Sequence, residues 1–528
     1  MLSRQLLRPS TSSLYPRMAS QRVNMISSHL SSSASSSSPS KPPADTPQPP
    51  VLFEAQHSLR KVVLNRPKAL NSLNDEMVDL ILPQLSKFEQ SDLANVVIIK
   101  SNSKHFCAGG DVVSLTKSLD NEKDWKNASG FFKKEYIMNH FLATMSKPVI
   151  SLMNGVAFGG GLGLSMHGAF RVATETTQVA MPETKIGLFP DVGANFFLPR
   201  LDGQLGIYLA LTSIPLKGAS AYFAGFTSHY VPSERLAALE SRLAELDQTA
   251  TVEDVNAALN EYSADADELA QAMKEYKLVG PVRRALDFAF SRATAEEMME
   301  TLQKIEDGSL SSKEMGKIVR EGEESKLEEV KAWAKETREQ IELRSPTSVK
   351  LSIKAIREGA KLNIEEVLAM DNRIAAACCS PAVHTDFRTG VTEFLIKKIK
   401  PEEQKPAWSP SSLPEVTSES LQKIFFSSPP PFSNPPVSTF KPSRKDRLNP
   451  LPAYKTHPYS IYGLPTEKRI EEVVKGTAKD SPDYARTRKE IVEKFEREFS
   501  GKVGVKAKVD EVLDRRTVVA EENTLRWV

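Results

Sequence analysis

An α/β fold is what this sequence predicts, and three features predict it. Two short apolar runs, Asn95–Lys100 with Val96, Val97, Ile98 and Ile99, and Pro148–Met153 with Val149, Ile150 and Leu152, are rich enough in branched residues to be buried strands. Each run ends in a glycine-bearing turn, Ala108-Gly109-Gly110-Asp111 after the first and Gly155 to Gly161 after the second. A helical stretch, Ala128–Met145, joins them. Strand, turn and helix repeating in that order imply an α/β fold with right-handed crossovers.

The N-terminal residues do not read as part of that fold. From Met1 to Ala44 there is no acidic residue, while Arg4, Arg8, Arg17 and Arg22 are spaced among Leu, Ser and Met, and a serine tract at Ser31–Ser38 runs into proline-rich sequence. This composition predicts a mitochondrial transit peptide over residues 1–45 and a matrix address, with a disordered leader as the alternative. Ordered sequence is expected from about Val51. Ser58–Leu64 reads as a strand broken by Asn65-Arg66-Pro67, and Asn74 opens a helix with Met77, Leu80, Ile81, Leu85 and Phe88 on one face. Beyond Val231 the pattern turns helical: Leu236–Leu246, Val252–Tyr262 and Pro281–Lys304 alternate apolar and charged positions. Asp307–Thr337 is so heavily charged that a solvated helix or a mobile insertion is expected. Val349–Gly359 and Ile364–Ala377 read as amphipathic helices covering the core.

Composition narrows the function classes. At 26% charged residues and a net charge of +2, nothing global suggests nucleic acid, and no apolar run approaches the roughly 18 residues of a membrane span. Three cysteines, two of them adjacent, make neither a disulfide framework nor a zinc site.

The chemistry concentrates between Gly155 and Gly193. A strand, a tight glycine turn and a helix N-terminus bring unpaired backbone N–H groups together, an arrangement that can hold an oxyanion or a developing enolate. The turn after Asn95–Lys100, at Gly109-Gly110, could bring a second N–H to the same acceptor. Two carboxylates follow, Glu183 after Met181-Pro182 and Asp191 after Pro190. A strand-to-helix turn that merely needs positive φ remains the alternative for the glycine run. Asp191 could equally cap the helix that follows it, Glu183 could be a surface carboxylate, and Glu135 could pair with Lys133 or Lys134. Cys107, His167 and His384 read as packing residues.

Four motifs then match, in order and spacing, one superfamily: Asn65-Arg66-Pro67-Lys68-Ala69-Leu70-Asn71, Phe106-Cys107-Ala108-Gly109-Gly110-Asp111, Asn154-Gly155 with Gly159-Gly160-Gly161, and Met181-Pro182-Glu183. The chain resembles the crotonase (enoyl-CoA hydratase/isomerase) superfamily from about Val51 to Val416. Phe189-Pro190-Asp191-Val192-Gly193 and Ser345-Pro346-Thr347-Ser348 look like its 3-hydroxyisobutyryl-CoA hydrolase branch. The resemblance implies a crotonase-type spiral of repeated ββα units over 51–235, a helical C-terminal part over 236–416, and acyl-CoA thioesters as substrates. It implies that Gly110 and Gly160 form the oxyanion hole, that Glu183 and Asp191 are catalytic, that Glu135 binds the hydroxyl end of the substrate, and that CoA lies along Arg66, Lys68, Ala69 and Leu70. The implied reaction is hydrolysis of 3-hydroxyisobutyryl-CoA in valine breakdown, with no cofactor except CoA within the substrate. A hydratase or isomerase is a further alternative, but the second glutamate of a hydratase would fall at Gly163, and no carboxylate is there. Thr389 and the basic Lys397, Lys398 and Lys400 also depart from the family pattern.

Residues 417–528 exceed what such a hydrolase needs. A Pro/Ser linker, Ser427–Pro436, leads to a basic segment, Lys441–Arg447, and a charged helix is expected over Tyr484–Phe499. From Lys441 to Val528 there are 20 Lys/Arg and 15 Asp/Glu, a net of +5. A basic, partly disordered docking tail is expected, and the resemblance extends to a hydrolase-fold protein of the mitochondrial small ribosomal subunit, with rRNA and proteins as the tail's partners.

Overall fold

Nine short strands carry the described part of the enzyme-like region: β1 (Val51–Gln56), β2 (Leu59–Leu64), β3 (Val96–Ser101), β4 (Val149–Met153), β5 (Val156–Phe158), β6 (Phe170–Ala173), β7 (Gln178–Ala180), β8 (Leu216–Lys217) and β9 (His229–Tyr230). The computed structural model describes residues 48–119, 124–400, 404–427, 450–479, 481 and 484–528. The leader read over 1–45, most of the Pro/Ser linker and the Lys441–Arg447 segment therefore lie outside the described residues.

Six strands form one sheet in the order β1-β2-β3-β4-β6-β9, antiparallel only between β1 and β2, and β5, β7 and β8 form a second. Successive passes of the chain put one strand in the large sheet and the next in the small one, as β4 then β5 and β6 then β7. Alternation along β3 explains why both faces are covered. Val97 and Ile99 point into the main core, whereas Val96 and Ile98 join Ile150 and Leu152 against Leu239, Leu243 and Val255 of the helices Leu236–Ala244 and Val252–Tyr262.

Helix α1 (Asp75–Gln90) starts where expected, because the Asn74 side chain accepts from Met77 N at 3.0 Å. Helix α2 (Trp125–Ala143) crosses behind the glycine turn, and α3 (Gly160–Ser165) is the short helix that the turn opens. The helical pattern read over Pro281–Lys304 is carried by two helices, Gly280–Phe290 and Ala295–Asp307, because Thr294 and Glu297 form a capping box that starts the second. The charged Asp307–Thr337 stretch is packed structure rather than a mobile insertion. Its helix Leu327–Glu342 buries Val330, Ala334, Thr337 and Ile341, so its charges mark one solvated face. Two further helices, α4 (Pro346–Gly359) and α5 (Ile364–Cys379), close over the core, and the covering continues past Val416 with Leu421 and Phe425. Among the described residues no helix is long and apolar enough to cross a membrane.

In the C-terminal extension, the described residues form α6 (Glu467–Val474), α7 (Arg488–Glu498), α8 (Val505–Arg516) and a hairpin of β10 (Thr517–Val519) with β11 (Leu525–Trp527). Ile470, Ile491, Phe495, Val509 and Val512 give it a core of its own. It is seated on the chain's own body. Lys508 pairs with Asp202 at 2.6 Å, Arg516 with Asp287 at 2.6 Å, and Arg515 with Glu467 at 2.8 Å and Asp287 at 3.4 Å. Three of the tail's cations are therefore spent within the molecule.

Candidate active site

The two glycine turns meet because backbone hydrogen bonds stitch them together. Cys107 N donates to Val156 O at 2.9 Å and Phe158 N to Cys107 O at 3.0 Å, while on the other side Leu73 N donates to Gly109 O and Asp111 N to Leu73 O, both at 2.8 Å. Gly110 is thereby fixed beside Gly160: a Cβ added to Gly160 would stand 3.2 Å from Gly110 N and 2.6 Å from Glu135 Oε1. Among the described residues, neither the Gly110 nor the Gly160 N–H is engaged in a hydrogen bond. Two idle donors side by side are the elements of an oxyanion hole. Gly159 makes the turn possible. Its φ of 44° is left-handed, and a side chain there would collide with Glu183 Oε1.

Three carboxyls converge on this turn. Glu135 comes from α2, Glu183 opens the 3₁₀ turn after β7, and Asp191 follows in the next loop; all three are buried, at 1%, 6% and 4% exposure. Asp191 does not cap the helix Ala194–Phe197, which begins from Gly193. Instead its Oδ2 accepts from Tyr136 OH at 2.6 Å. Nor is Glu135 a surface ion-pair partner, since Lys134 turns the other way to Asp75 and Asp79. Among the described residues, Glu135 Oε1 and Glu183 Oε2 have no hydrogen-bond partner.

Burial, reinforced by the charge of Asp191, holds the carboxyls of Glu135 and Glu183 well above the usual range. Burial also pushes Asp191 up to about 7, against the pull of the Tyr136 hydrogen bond. Near neutral pH the cluster therefore holds fewer charges than carboxyls, and a proton is available within it.

The loop around Asp191 is pinned from three directions. Asp371 of α5 accepts from Gly193 N at 2.9 Å and Asn195 Nδ2 at 2.7 Å, and His167 Nε2 hydrogen-bonds the Val192 carbonyl at 2.8 Å. His384 does the same for Gly187 O at 2.8 Å, just beyond Glu183. Burial drives His167 down to about 4, so both histidines are structural, as the sequence suggests, but they support the loops that carry Glu183 and Asp191. Val192, β-branched, is held at φ 51°, a conformation that persists only under such constraint. Cys107 is packing, its thiol pushed up to about 12 by burial.

A cavity of about 950 Å³ opens over these groups. Gly110, Gly160, Glu135, Glu183, Asp191, Lys68, Ala69 and Leu70 all line it. Arg66 does not. Its guanidinium donates to Ser72 O and to Asp111 Oδ2 at 3.1 Å, which clamps the loop bearing Gly110. Sequence reasoning missed Tyr136 and Asp371, whose roles come from contacts 55 and 178 residues away in sequence. It singled out Lys398 and Lys400 only as departures, and both line the cavity with Lys68 and Lys185, giving its lining four ammonium groups. Gly163 is closed to a second glutamate, since a Cβ there would lie 2.8 Å from Val192 Cβ and 3.0 Å from Asn139 Nδ2.

Comparison with known proteins agrees with this geometry. Residues 59–425 match the family model described as enoyl-CoA hydratase/isomerase. The small ribosomal subunit protein mS47 of Neurospora crassa is 36% identical over 474 residues, 89% of this chain and 85% of its own. The mitochondrial 3-hydroxyisobutyryl-CoA hydrolases of Danio rerio and Homo sapiens are each 39% identical, over 71% of this chain and 89% and 88% of theirs. The crystal structure of a carnitinyl-CoA dehydratase from Mycobacterium thermoresistibile superposes with a TM-score of 0.59 at 28% identity, over 75% of this chain and 100% of that one. With a match that takes in well over half of its length and a pocket built from the matched motifs, the chain belongs to the enoyl-CoA hydratase/isomerase family.

Proposed function

We propose that the chain hydrolyses a short 3-hydroxyacyl-CoA thioester, 3-hydroxyisobutyryl-CoA in particular, to the free acid and CoA in the mitochondrial matrix. The observation that carries this reading is the meeting, in one cavity, of two idle glycine N–H groups with Glu183, while Gly163 is closed to the second carboxylate that hydration requires. The thioester oxygen accepts from the Gly110 and Gly160 N–H groups, which stabilise the charge it gains as the carbonyl carbon becomes tetrahedral. Glu183, ionised by handing its proton to the Asp191 carboxylate, either draws a proton from the attacking water or attacks directly to form an anhydride that water then opens. In both routes the C–S bond breaks, the acyl group gains the oxygen, and the leaving thiolate takes a proton. Asp191 supplies that proton, since the cluster retains one near neutral pH. Glu135 Oε1, buried and unpartnered, accepts from the substrate's 3-hydroxyl. The lysines lining the cavity suit the phosphates of CoA. Glu183→Gln is the direct test: hydrolysis should fall at least about 10³-fold with an unchanged circular dichroism spectrum. Undiminished turnover in that variant would remove the mechanism.

A second role, residence on the mitochondrial small ribosomal subunit, is favoured by a separate observation. Similarity over 474 residues exceeds the 427 residues up to Ser427, so the likeness to the Neurospora crassa ribosomal protein runs into the extension, whereas the likeness to the hydrolases spans 376 to 378 residues. Sedimentation of mitochondrial lysate at low and high salt, with every fraction assayed for the chain and for hydrolysis, tests it. Co-migration with the small subunit supports the role, and recovery in light fractions alone at both salt concentrations removes it.

A further inference from the structure

A second cavity, of about 130 Å³, lies where the extension meets the body, and it shares no lining residue with the catalytic cavity. Its floor is Arg171 of β6 with Phe196, Phe197 and Thr227, and its roof is the extension segment from His457 to Thr466. Arg171 is 7% exposed, yet among the described residues it has no carboxylate within ion-pair distance. Nε donates to Phe226 O at 2.9 Å, Nη1 to Gly168 O at 3.2 Å, and Nη2 to nothing. A buried guanidinium without a counter-charge is strongly unfavourable, and such groups are ordinarily paired.

Nothing else in the cavity supplies that charge. Arg200, also in the lining, donates only to the carbonyls of Lys455, Phe196, Gly359 and Leu362 and stacks 3.7 Å over the Phe196 ring. Asp202 is the one carboxylate among the lining residues, and it is committed to Lys508 at 2.6 Å and to Glu467 N at 2.8 Å. Three cations face one anion, a net of +2. The same field presses on the neighbouring histidines: burial and then Arg171 hold His457 well below its ordinary range. Thr227, 1% exposed and lining the cavity, has an Oγ1 without a hydrogen-bond partner among the described residues.

We propose that this cavity binds a phosphate group, a tetrahedral oxyanion neutralising Arg171 and Arg200 and fastening the extension to the body. The room suffices for roughly four waters, or for one phosphate in their place. A guanidinium edge on one side and a threonine hydroxyl and the Lys508 ammonium elsewhere in the lining suit an acceptor with oxygens in several directions. The group can arrive as free inorganic phosphate or as the terminal phosphate of a ribonucleotide, and the chemistry at Arg171 is the same.

The test is thermal unfolding of the full chain against inorganic phosphate, with chloride at matched ionic strength as the control. Phosphate should raise the Tm saturably where chloride does not, Arg171→Lys should weaken the effect about tenfold, and Arg171→Met should remove it. Thr227→Val, nearly isosteric, guards against a variant that fails to fold. It should weaken phosphate severalfold while hydrolysis at the separate catalytic cavity stays unchanged. A 5′-phosphorylated oligoribonucleotide that produces the same saturable rise, where its unphosphorylated counterpart does not, would identify an RNA end as the source. An equal response to phosphate and chloride, or to phosphate in the parent and in Thr227→Val, would overturn the proposal.

Discussion

Tyr136→Phe isolates one contact and gives it a measurable consequence. The phenol donates to Asp191 Oδ2 at 2.6 Å with both groups buried, and the bond favours the ionised carboxyl. A hydrogen bond to a buried charge is worth about 1.5–3 kcal/mol, or about one to two pH units at 1.36 kcal/mol per unit. Asp191 is at about 7 with the bond in place, so its loss should carry the first ionisation of the cluster to roughly 8–9. In the proposed mechanism, hydrolysis needs one negative charge shared by Glu183 and Asp191. The acid limb of the pH profile of kcat/KM should therefore move up by the same amount. Activity at pH 7, where the parent is itself about half ionised, should fall about 5- to 50-fold and recover most of the way at pH 9. Profiles for parent and variant across pH 5.5–9.5, with a buffer series at constant ionic strength, read this directly. A uniform loss at every pH, or an acid limb that does not move, would refute the linkage between Tyr136 and the ionisation of the cluster.

Other outcomes follow from the same geometry. Gly160→Ala places a methyl 2.6 Å from Glu135 Oε1 and 3.2 Å from Gly110 N, so kcat for thioester hydrolysis should drop about 10²–10³-fold without loss of fold by circular dichroism. Glu135→Gln should raise KM for 3-hydroxyisobutyryl-CoA severalfold and leave isobutyryl-CoA, which lacks the hydroxyl, nearly unaffected; a steady-state comparison of the two substrates decides it. Asp191 is raised from the ordinary 3.8 to about 7 on folding, so the folded state binds the extra proton and stability falls as pH rises from about 4 to about 7. Asp191→Asn should accordingly raise the Tm above pH 7 by a few degrees and not below about pH 4, as calorimetry at the two pH values can establish. Removing residues after Ser427 strips Asp202 and Asp287 of Lys508, Arg515 and Arg516, so the Tm should fall while KM at low temperature stays near the parent value.

How much of this was legible beforehand depends on the range of the interaction. Asn74 as a helix start, the strand built on Val96–Ile99 and the glycine turns are local facts, written in caps, β-branching and turn residues, and they stand where the sequence puts them. The break at Thr294 was also local, but a capping box inside a continuing apolar pattern is easily read through. Cavity-lining residues were legible where a motif carries them, as with Glu183 between Met181-Pro182 and Ile186-Gly187. Arg66 shows the limit of that route, because the motif is present and yet the guanidinium is turned to Asp111 and Ser72. Tyr136 and Asp371 belong to no motif and were invisible. The extension is the largest case: its high charge reads as solvated, yet Arg515 is fully buried among Glu467, Glu511 and Asp287, the last of them 228 residues away in sequence.

The cluster also bears on which of the two roles shaped the pocket. Three carboxyls buried against one another oppose folding at neutral pH, and Val192 is held in a strained conformation beside them. Replacing Glu135, Glu183 and Asp191 with their amides would relieve much of that repulsion without altering the outer surface. A body used only as a ribosomal platform would gain stability from those changes and lose nothing. The idle N–H groups of Gly110 and Gly160 add to the point, since a filled turn would serve a platform as well. The pocket is built at the expense of stability, as expected where a charge must develop in a dry site. The extension lines none of that cavity among its described residues, so a chain docked through its tail would keep its active site free for substrate.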